Sequence, residues 1–574
     1  MSLYGSFEIG KKSLTASQMG QSTTGHNIAN VDTEGFSRQE VTQGTSRPTA
    51  EGRGTGVDVT GVRRMQDGFT KQKIIDEQNR VGTWQTREKV LTEAEVIYTD
   101  LDGSQLRGAM DEFWNAWGSI ANEPESVPLR KTLVAKSESL VQSFRLFDTR
   151  LREFRENLNN RIVAEVEEIN QLAREIALLN KQVQQLESRG LPANDGRDKR
   201  EVALLKLSEK MEIKSFENHL GILEVQIANG QNLVHGRDTY NLTPIKSAEA
   251  NGDIRLNLVN PPGLDTDVTG IIKGGAIKEY INQRDGNIKE FHANLNEMVN
   301  EIAFNVNQIH VTGTGINGIK TTENGYATFN EELQKMPVAD LKSGNFEIKL
   351  VDEFDNIQET LVIDIEAGVD TSKTIVEKIN RAAGAYDKTP EGQEFLKDKN
   401  KFLAKVNENG SISFNSGMGE RFIFGKDNTN TFTKFGLNCF FQLNNGAKDI
   451  QINAELLEDE MKIAAGVDLV PGDNNIALKI AELQLATTMN DETITFNEFY
   501  NKQITDVGLK VQDAKKGLSS HNQMLDQYVA IRDSISGVNL DEEMTNMVKY
   551  QRAYESSAKF LSTINEMTQT VINM

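Results

Sequence analysis

The sequence predicts a multidomain, mainly α protein: a long antiparallel coiled coil or helical bundle built from both chain termini, with an inserted β-rich domain. Three observations predict this. Apolar residues recur at alternating spacings of four and three over several long stretches, the repeat that keeps one helix seam against a partner helix. Only 10 prolines occur in 574 residues, and proline breaks helices. Between residues 315 and 475 the helical period is lost and strand-like alternation replaces it.

In chain order, Leu106, Met110, Phe113 and Trp117 form a first stripe that ends before Asn122-Glu123-Pro124. A longer one runs from Leu129 through Leu133, Leu140, Phe144, Phe147, Leu151, Phe154 and Leu158 into Ile169, Leu172, Ile176, Leu179, Val183 and Leu186. It stops at Arg189-Gly190-Leu191-Pro192, a glycine followed by a proline. Residues 219–242 alternate around glycine and asparagine turns, which predicts paired strands in a small β segment over about 211–270. From Ile277 to Ile309, eight of ten seam positions are apolar, with Arg284 and Asn305 the exceptions. This predicts one helix of 33 residues, about 50 Å long. A third seam runs from Tyr500 through Ile504, Val507 and Val511 to Ile535, with His521 on it as a packed or rim residue rather than a ligand.

Inside the insert, 345–351, 361–365, 412–414 and 422–424 read as strands, and Thr371–Ala383 as a helix. Thr312–Gly318 and Val470–Asn475 read as linkers on its flanks. The helices on either side are expected to pair with each other or to lie in one bundle, which returns both termini to one end. Three regions are therefore expected: a terminal helical domain of 1–40 plus 537–574, a helical-bundle body of 41–314 plus 476–536, and a solvent-facing β-rich insert of 315–475.

Net charge is −21. A surface this acidic repels phosphate backbones and anionic headgroups, so neither nucleic acid nor membrane is expected as a partner. No apolar run reaches 18 residues, so no membrane span is expected. Residues 1–10 lack the basic and apolar regions of a secretory leader, which taken alone predicts a cytoplasmic protein. The single cysteine, Cys439, leaves no disulfide framework and reads as a buried small hydrophobe in a strand.

Sharper motifs fail on inspection. Gly5 through Gly10-Lys11-Lys12-Ser13 nearly spells a phosphate-binding loop, but Lys12 occupies the Ser/Thr position and no buried strand precedes it. Asp195, Asp198 and Glu201 lack the spacing of a cation loop and read as a turn and helix start. No catalytic residue, metal or cofactor is predicted, and the expected role is structural rather than enzymatic.

The chain ends carry the argument. Asn539 is placed to cap a helix whose first turn holds Asp541, Glu542 and Glu543. Met544, Met547, Tyr554, Ala558 and Leu561 follow on one stripe, which drifts to Phe560, Ile564, Met567 and Val571. At the other end Leu3, Phe7, Gly10 and Leu14 repeat the spacing more weakly. Isolated helices of this kind gain little until packed. Both ends are expected to be mobile in the free chain, to pack on each other and on neighbouring subunits, and to order on assembly.

Asn27-Ile28-Ala29-Asn30, Thr33 and Gly35-Phe36-Ser37-Arg38-Gln39 resemble the N-terminal signature of the rod, hook and hook-associated proteins of the bacterial flagellum. Ser536 to Glu543, followed by Tyr550-Gln551-Arg552-Ala553-Tyr554, resembles the C-terminal signature of that family. Three further segments are similar to its hook–filament junction branch: Gly54-Thr55-Gly56-Val57 to Phe69, Asn122 to Arg130, and Asn194-Asp195-Gly196-Arg197-Asp198-Lys199-Arg200. Gly196 departs from the usual apolar residue.

The resemblance implies a flagellar location, cytoplasmic before export through the flagellum's type III apparatus, which explains the missing leader. It implies self-assembly into a helical array by packing of the terminal coiled coils. The implied neighbours are hook protein and a second junction protein next to the filament, and a small export chaperone would cover the C-terminal helix. The assembly interface it implies comprises Leu3, Phe7, Leu14, Asn27, Asn30, Gly35, Phe36, Arg38, Leu540, Met544, Met547, Arg552, Tyr554, Leu561 and Ile564. Two other readings stay open: a hook or distal-rod subunit, and a secreted adhesin or hydrolase acting through the insert.

Overall fold

A computed structural model describes residues 3–48, 54–99, 105–247, 252–260, 264–388, 394–396, 402–416 and 421–573. Among these, the α-helices are α1 (Leu3–Ala29), α2 (Gly68–Thr99), α3 (Gln105–Asn122), α4 (Val127–Glu187), α5 (Asn194–Lys210), α6 (Gly275–Asp285), α7 (Asn287–His310), α8 (Ser372–Ala382), α9 (Thr431–Phe435), α10 (Ala454–Glu458), α11 (Asn475–Glu482), α12 (Phe496–Ser536) and α13 (Leu540–Ile572). Long helices lie at both ends and the strands lie between, as predicted. The chain forms two compact units, one of Met1–Thr92, Glu156–Asp285 and Lys510–Met574, the other of Glu93–Arg155 and Gly286–Leu509. The borders fall inside α2, α4 and α12 and at the break between α6 and α7.

In the first unit the seam of α4 buries Leu158, Ile162, Val166, Ile169, Ile176 and Val183. Three asparagines on the same helix hold irregular backbone that would otherwise stay unpaired. Asn159 accepts from Ile254 N, Asn170 exchanges two hydrogen bonds with Leu242, and Asn180 bonds Leu223 and Gly236. The strands form an antiparallel sheet in the order Ile213–Glu217, Leu223–Ile227, Asn232–His235, Asp238–Thr239, and another of Leu242–Lys246, Ile254–Asn260, Leu264–Asp267. A hairpin of Gln39–Thr45 and Val57–Arg64 follows α1.

The expected single helix over 277–309 is two helices broken at Gly286. The cause lies in Arg284, which the periodicity placed on the seam. It is buried, and its guanidinium donates to Asn159 Oδ1 and Ile254 O, both at 2.9 Å, and to Asp285. The seam is interrupted by a charge that binds backbone, and a glycine follows it.

In the second unit, Phe113, Trp114 and Trp117 of α3 are buried, with Phe440 5.3 Å from Trp117 and Phe496 stacked on Trp114. A three-stranded sheet, ordered Ile357–Ile365, Gly344–Val351, Arg421–Asp427, buries Phe346, Ile348, Ile363, Phe422 and Phe424. Ile375 and Ile379 of α8 join that core, and Thr371 caps α8 through a reciprocal pair of bonds with Thr374. The predicted strands and helix thus stand where the alternation placed them.

The two expected linkers are not free connections. Thr314 and Gly466 pair as a β-bridge, and Thr314 N donates to Gly466 O at 2.8 Å. Ile476 and the backbone of Lys462 close on Gly313 and Gly315 so tightly that no side chain fits there. Asp473 accepts from the backbone of Val467 and Asn475, which pins the second segment. Cys439 is fully buried, in the loop before the Phe441–Gln442 strand rather than in a strand, and burial pushes its thiol pKa up.

Candidate assembly site

The segments singled out in the sequence meet in the first unit, where α1 ends and α13 begins. Asn27 is the pivot. Its Nδ2 donates to Gln39 O at 2.9 Å and to Glu543 Oε2 at 3.0 Å, and its Oδ1 accepts from Gln39 N at 3.0 Å. Arg38 completes the contact: Nε donates to Glu543 Oε1 at 2.8 Å, and a second guanidinium nitrogen lies 3.1 Å from Glu542 Oε2. The Arg38 backbone bridges the two ends as well, N to Ser536 O and O from Met65 N, both at 2.8 Å. Glu543 is only 2% exposed, so its oxygens take their hydrogen bonds from these partners.

The turn between α1 and the hairpin is shaped for this. Asn30 accepts from Thr33, and Gly35 sits at φ 73°, with Val202 in the space a side chain would need. Phe36 lies edge-on to His26 at 5.5 Å. Ser37 then donates from backbone and hydroxyl to Asp198 of α5, and Arg64 lies 2.5 Å from Asp198 and 3.0 Å from Glu201. Burial outweighs Arg64 and pushes the Asp198 carboxyl up. Burial also pushes on Glu201, but Lys71 and Arg64 outweigh it and hold that carboxyl below its usual value. Asn194 and Asp195 bond the Gln39 side chain. The acidic residues of 195–201 therefore act as acceptors that fasten the hairpin to the start of α5.

From this knot α1 and α13 run antiparallel. Asn539 caps α13 by accepting from Asp541 and Glu542 N, as its position predicted. The contacts then repeat every seven residues: Asn27 on Glu543, Gly20 under the Tyr550 ring, and Ser13 Oγ 2.7 Å from Ser557 Oγ. A Cβ at Gly20 would lie 2.5 Å from Tyr550, and one at Gly10 would lie 2.7 Å from Leu561. The face of α1 turned to α13 is thus Gly10, Ser13, Ser17, Gly20, Thr24 and Asn27, a heptad of small residues. A search for large apolar side chains passes over it; the same four-three spacing counted in small residues would have found it. The first-turn position of Glu543 signals only a complement to the helix dipole, and nothing in the spacing marks it as the hub for Asn27 and Arg38.

The expected interface residues separate into groups. Asn27 and Arg38 meet at Glu543, Met547 lies over Gly25, Leu561 over Gly10, and Ile564 is buried. Asn30, Gly35 and Phe36 build the turn. Leu14 is half-buried, and Tyr554 is at the margin. Phe7, Leu540, Met544 and Arg552 face outward, Phe7 at 44% and Met544 at 56% exposure. The Leu3 side chain lies outside the described residues. Tyr4, Val548, Phe560, Met567, Val571 and Ile572 are exposed too, so the pair remains apolar outside its own seam. The near-match to a phosphate loop lies wholly within α1, and Lys12 pairs with Asp58 at 2.9 Å.

Two family models match the chain: the flagellar hook-associated protein FlgK helical domain over residues 91–326, and the flagellar basal body rod FlgEFG protein C-terminal region over 532–574. The flagellar hook-associated protein 1 of Bacillus subtilis is 24% identical, with 99% of this chain and 97% of that protein covered. Its namesake in Salmonella typhimurium is also 24% identical, over 98% of each. The solved flagellar hook junction protein FlgK from Burkholderia pseudomallei shares the fold at a TM-score of 0.51 and 14% identity, covering 81% of this chain and 100% of that one.

Proposed function

This chain belongs to the flagellar hook-associated protein family, and on that premise we propose that it joins hook to filament as a structural subunit of the bacterial flagellum. One observation carries the mechanism: the two chain ends are zipped together along small residues while large apolar side chains face outward. Burying such a side chain gains about 1.5–3 kcal/mol, and contacts that are not self-complementary continue from copy to copy as a helical array. The terminal region of 1–40 plus 537–574 is the assembly part. Phe7, Leu540, Met544, Arg552 and Tyr554 make its contacts between subunits, while Asn27, Arg38 and Glu543 fix its direction. The body of 41–314 plus 476–536 forms the wall, and the insert of 315–475 faces solvent. Hook protein lies on one side and a second junction protein on the other. Before export a helical chaperone covers α13.

The role is structural rather than catalytic. Met544→Asp or Met567→Asp puts a charge on the outer face without touching the seam. Each variant is expected to be exported and folded, with unchanged circular dichroism, yet absent from the flagellum, and cells carrying it are expected to build hooks while shedding filament subunits into the medium. Normal incorporation of both variants would refute the reading.

A further inference from the structure

The sequence holds six Asn–Gly pairs, the dipeptide most prone to lose the asparagine amide without an enzyme. Five have both residues described, and the fold treats them unequally. Gly318, Gly325, Gly410 and Gly446 are buried, each with another residue packed against the space a side chain would fill. Three of these four donate their N–H to backbone oxygens, to Gly315, Ile412 and Asn407 O. The fourth, Gly446, makes no such bond among the described residues, but Asn445 is clamped, its Nδ2 donating to Asp449 Oδ2 at 2.9 Å. Asn229–Gly230 differs in the exposure of its glycine and in the room around it. Both residues are exposed, nothing lies within 4 Å of the Gly230 Cβ direction, and the Asn229 carboxamide nitrogen has no partner among the described residues. The Gly230 N–H also donates to Ile227 O at 2.9 Å, but its donor residue is exposed at the tip of the turn, where such bonds open readily.

We propose that Asn229 is a non-enzymatic modification site, converted to aspartate and isoaspartate at the tip of the Leu223–Ile227/Asn232–His235 hairpin. The Gly230 nitrogen gives its proton to solvent base and attacks Asn229 Cγ. The Cγ–Nδ2 bond breaks, ammonia leaves, and a succinimide closes. Water then adds to either carbonyl of the ring, leaving aspartate or isoaspartate. Either product adds a negative charge. The isoaspartate also lengthens the backbone inside a turn held by Ile227 N to Gln231 O at 2.9 Å, and so loosens the end of the hairpin.

The full-length folded protein, incubated in mildly alkaline buffer and sampled over time, is digested and mapped by mass, with isoaspartate labelled by its methyltransferase. Conversion at 229 is expected about tenfold or more ahead of 317, 324, 409 and 445, and the five rates are expected to converge in denaturant, where protection is gone. Asn229→Gln should remove the leading signal. Earlier conversion of any of the other four in the folded protein, or a folded rate at 229 no greater than theirs, would overturn the proposal.

Discussion

Gly20 and Tyr550 illustrate how single residues set the spacing of the terminal pair. The ring of one fills the place where the other lacks a side chain. Gly20→Ala gains about 1 kcal/mol in helix propensity but overpacks the seam at roughly 1–3 kcal/mol. A net loss of about 1 kcal/mol is expected in urea melts, and Tyr550→Leu in the same chain should recover part of it, a coupling that a double-mutant cycle reads directly. Glu543→Ala removes the acceptor that Arg38 and Asn27 share, leaving them only Glu542 and Gln39 O, and should cost roughly 2 kcal/mol. Glu543→Gln keeps an acceptor for one of them and should cost less. Equal losses for the two variants would show that packing, not charge, holds the knot.

At the scale of elements, periodicity was legible where burial is continuous. The seam of α4, that of α12 as far as Ala514 and the strands of the insert stand close to where spacing put them, whereas the expected α12 seam is only half-buried from Leu518 to Tyr528 and exposed at Ile535. It failed where a polar group replaces an apolar one for a reason outside the helix, as at Arg284, which serves the backbone of a distant strand. It failed also for α1, whose contact face is small rather than apolar. Turn-rich composition suggested free linkers at Thr312–Gly318, but glycine there permits close approach of Lys462 rather than freedom. One element had no signal at all. Asn490, Asp491 and Glu492 lie consecutively at φ 52°, 56° and 61°, a left-handed turn closed by Thr493 N to Met489 O. Each such residue costs about 1–2 kcal/mol. Asp491→Gly should therefore raise stability by about 1 kcal/mol; a fall in the melting midpoint would show that the Asp491 side chain contributes more than its backbone costs.

For the whole molecule, acid should act on the second unit through His310. It is completely buried, its Nδ1 donates to Asn438 O at 2.8 Å, and its Nε2 accepts from Ala464 N at 3.0 Å. The Nε2 bond requires the neutral ring, because a protonated Nε2 cannot accept from Ala464 N, and burial lowers the pKa to about 4. The unfolded chain takes up that proton near the ordinary value of about 6.5. Stability from this group is therefore intact above about pH 6.5 and lost as pH falls through the window down to about 4, by roughly 3 kcal/mol. Urea melts between pH 7 and 4.5 should show this slope, and His310→Gln should flatten it.

The rungs that join α1 to α13 link residues 516 and 544 positions apart. At about 5–20 residues per second of synthesis, the leading helix waits on the order of a minute for its mate. A polypeptide released early, wherever it stops before α13, carries a correctly made first helix with nothing to close it. The zipped seam therefore certifies that translation ran through α13, and products truncated before it are marked by the very surface they leave open.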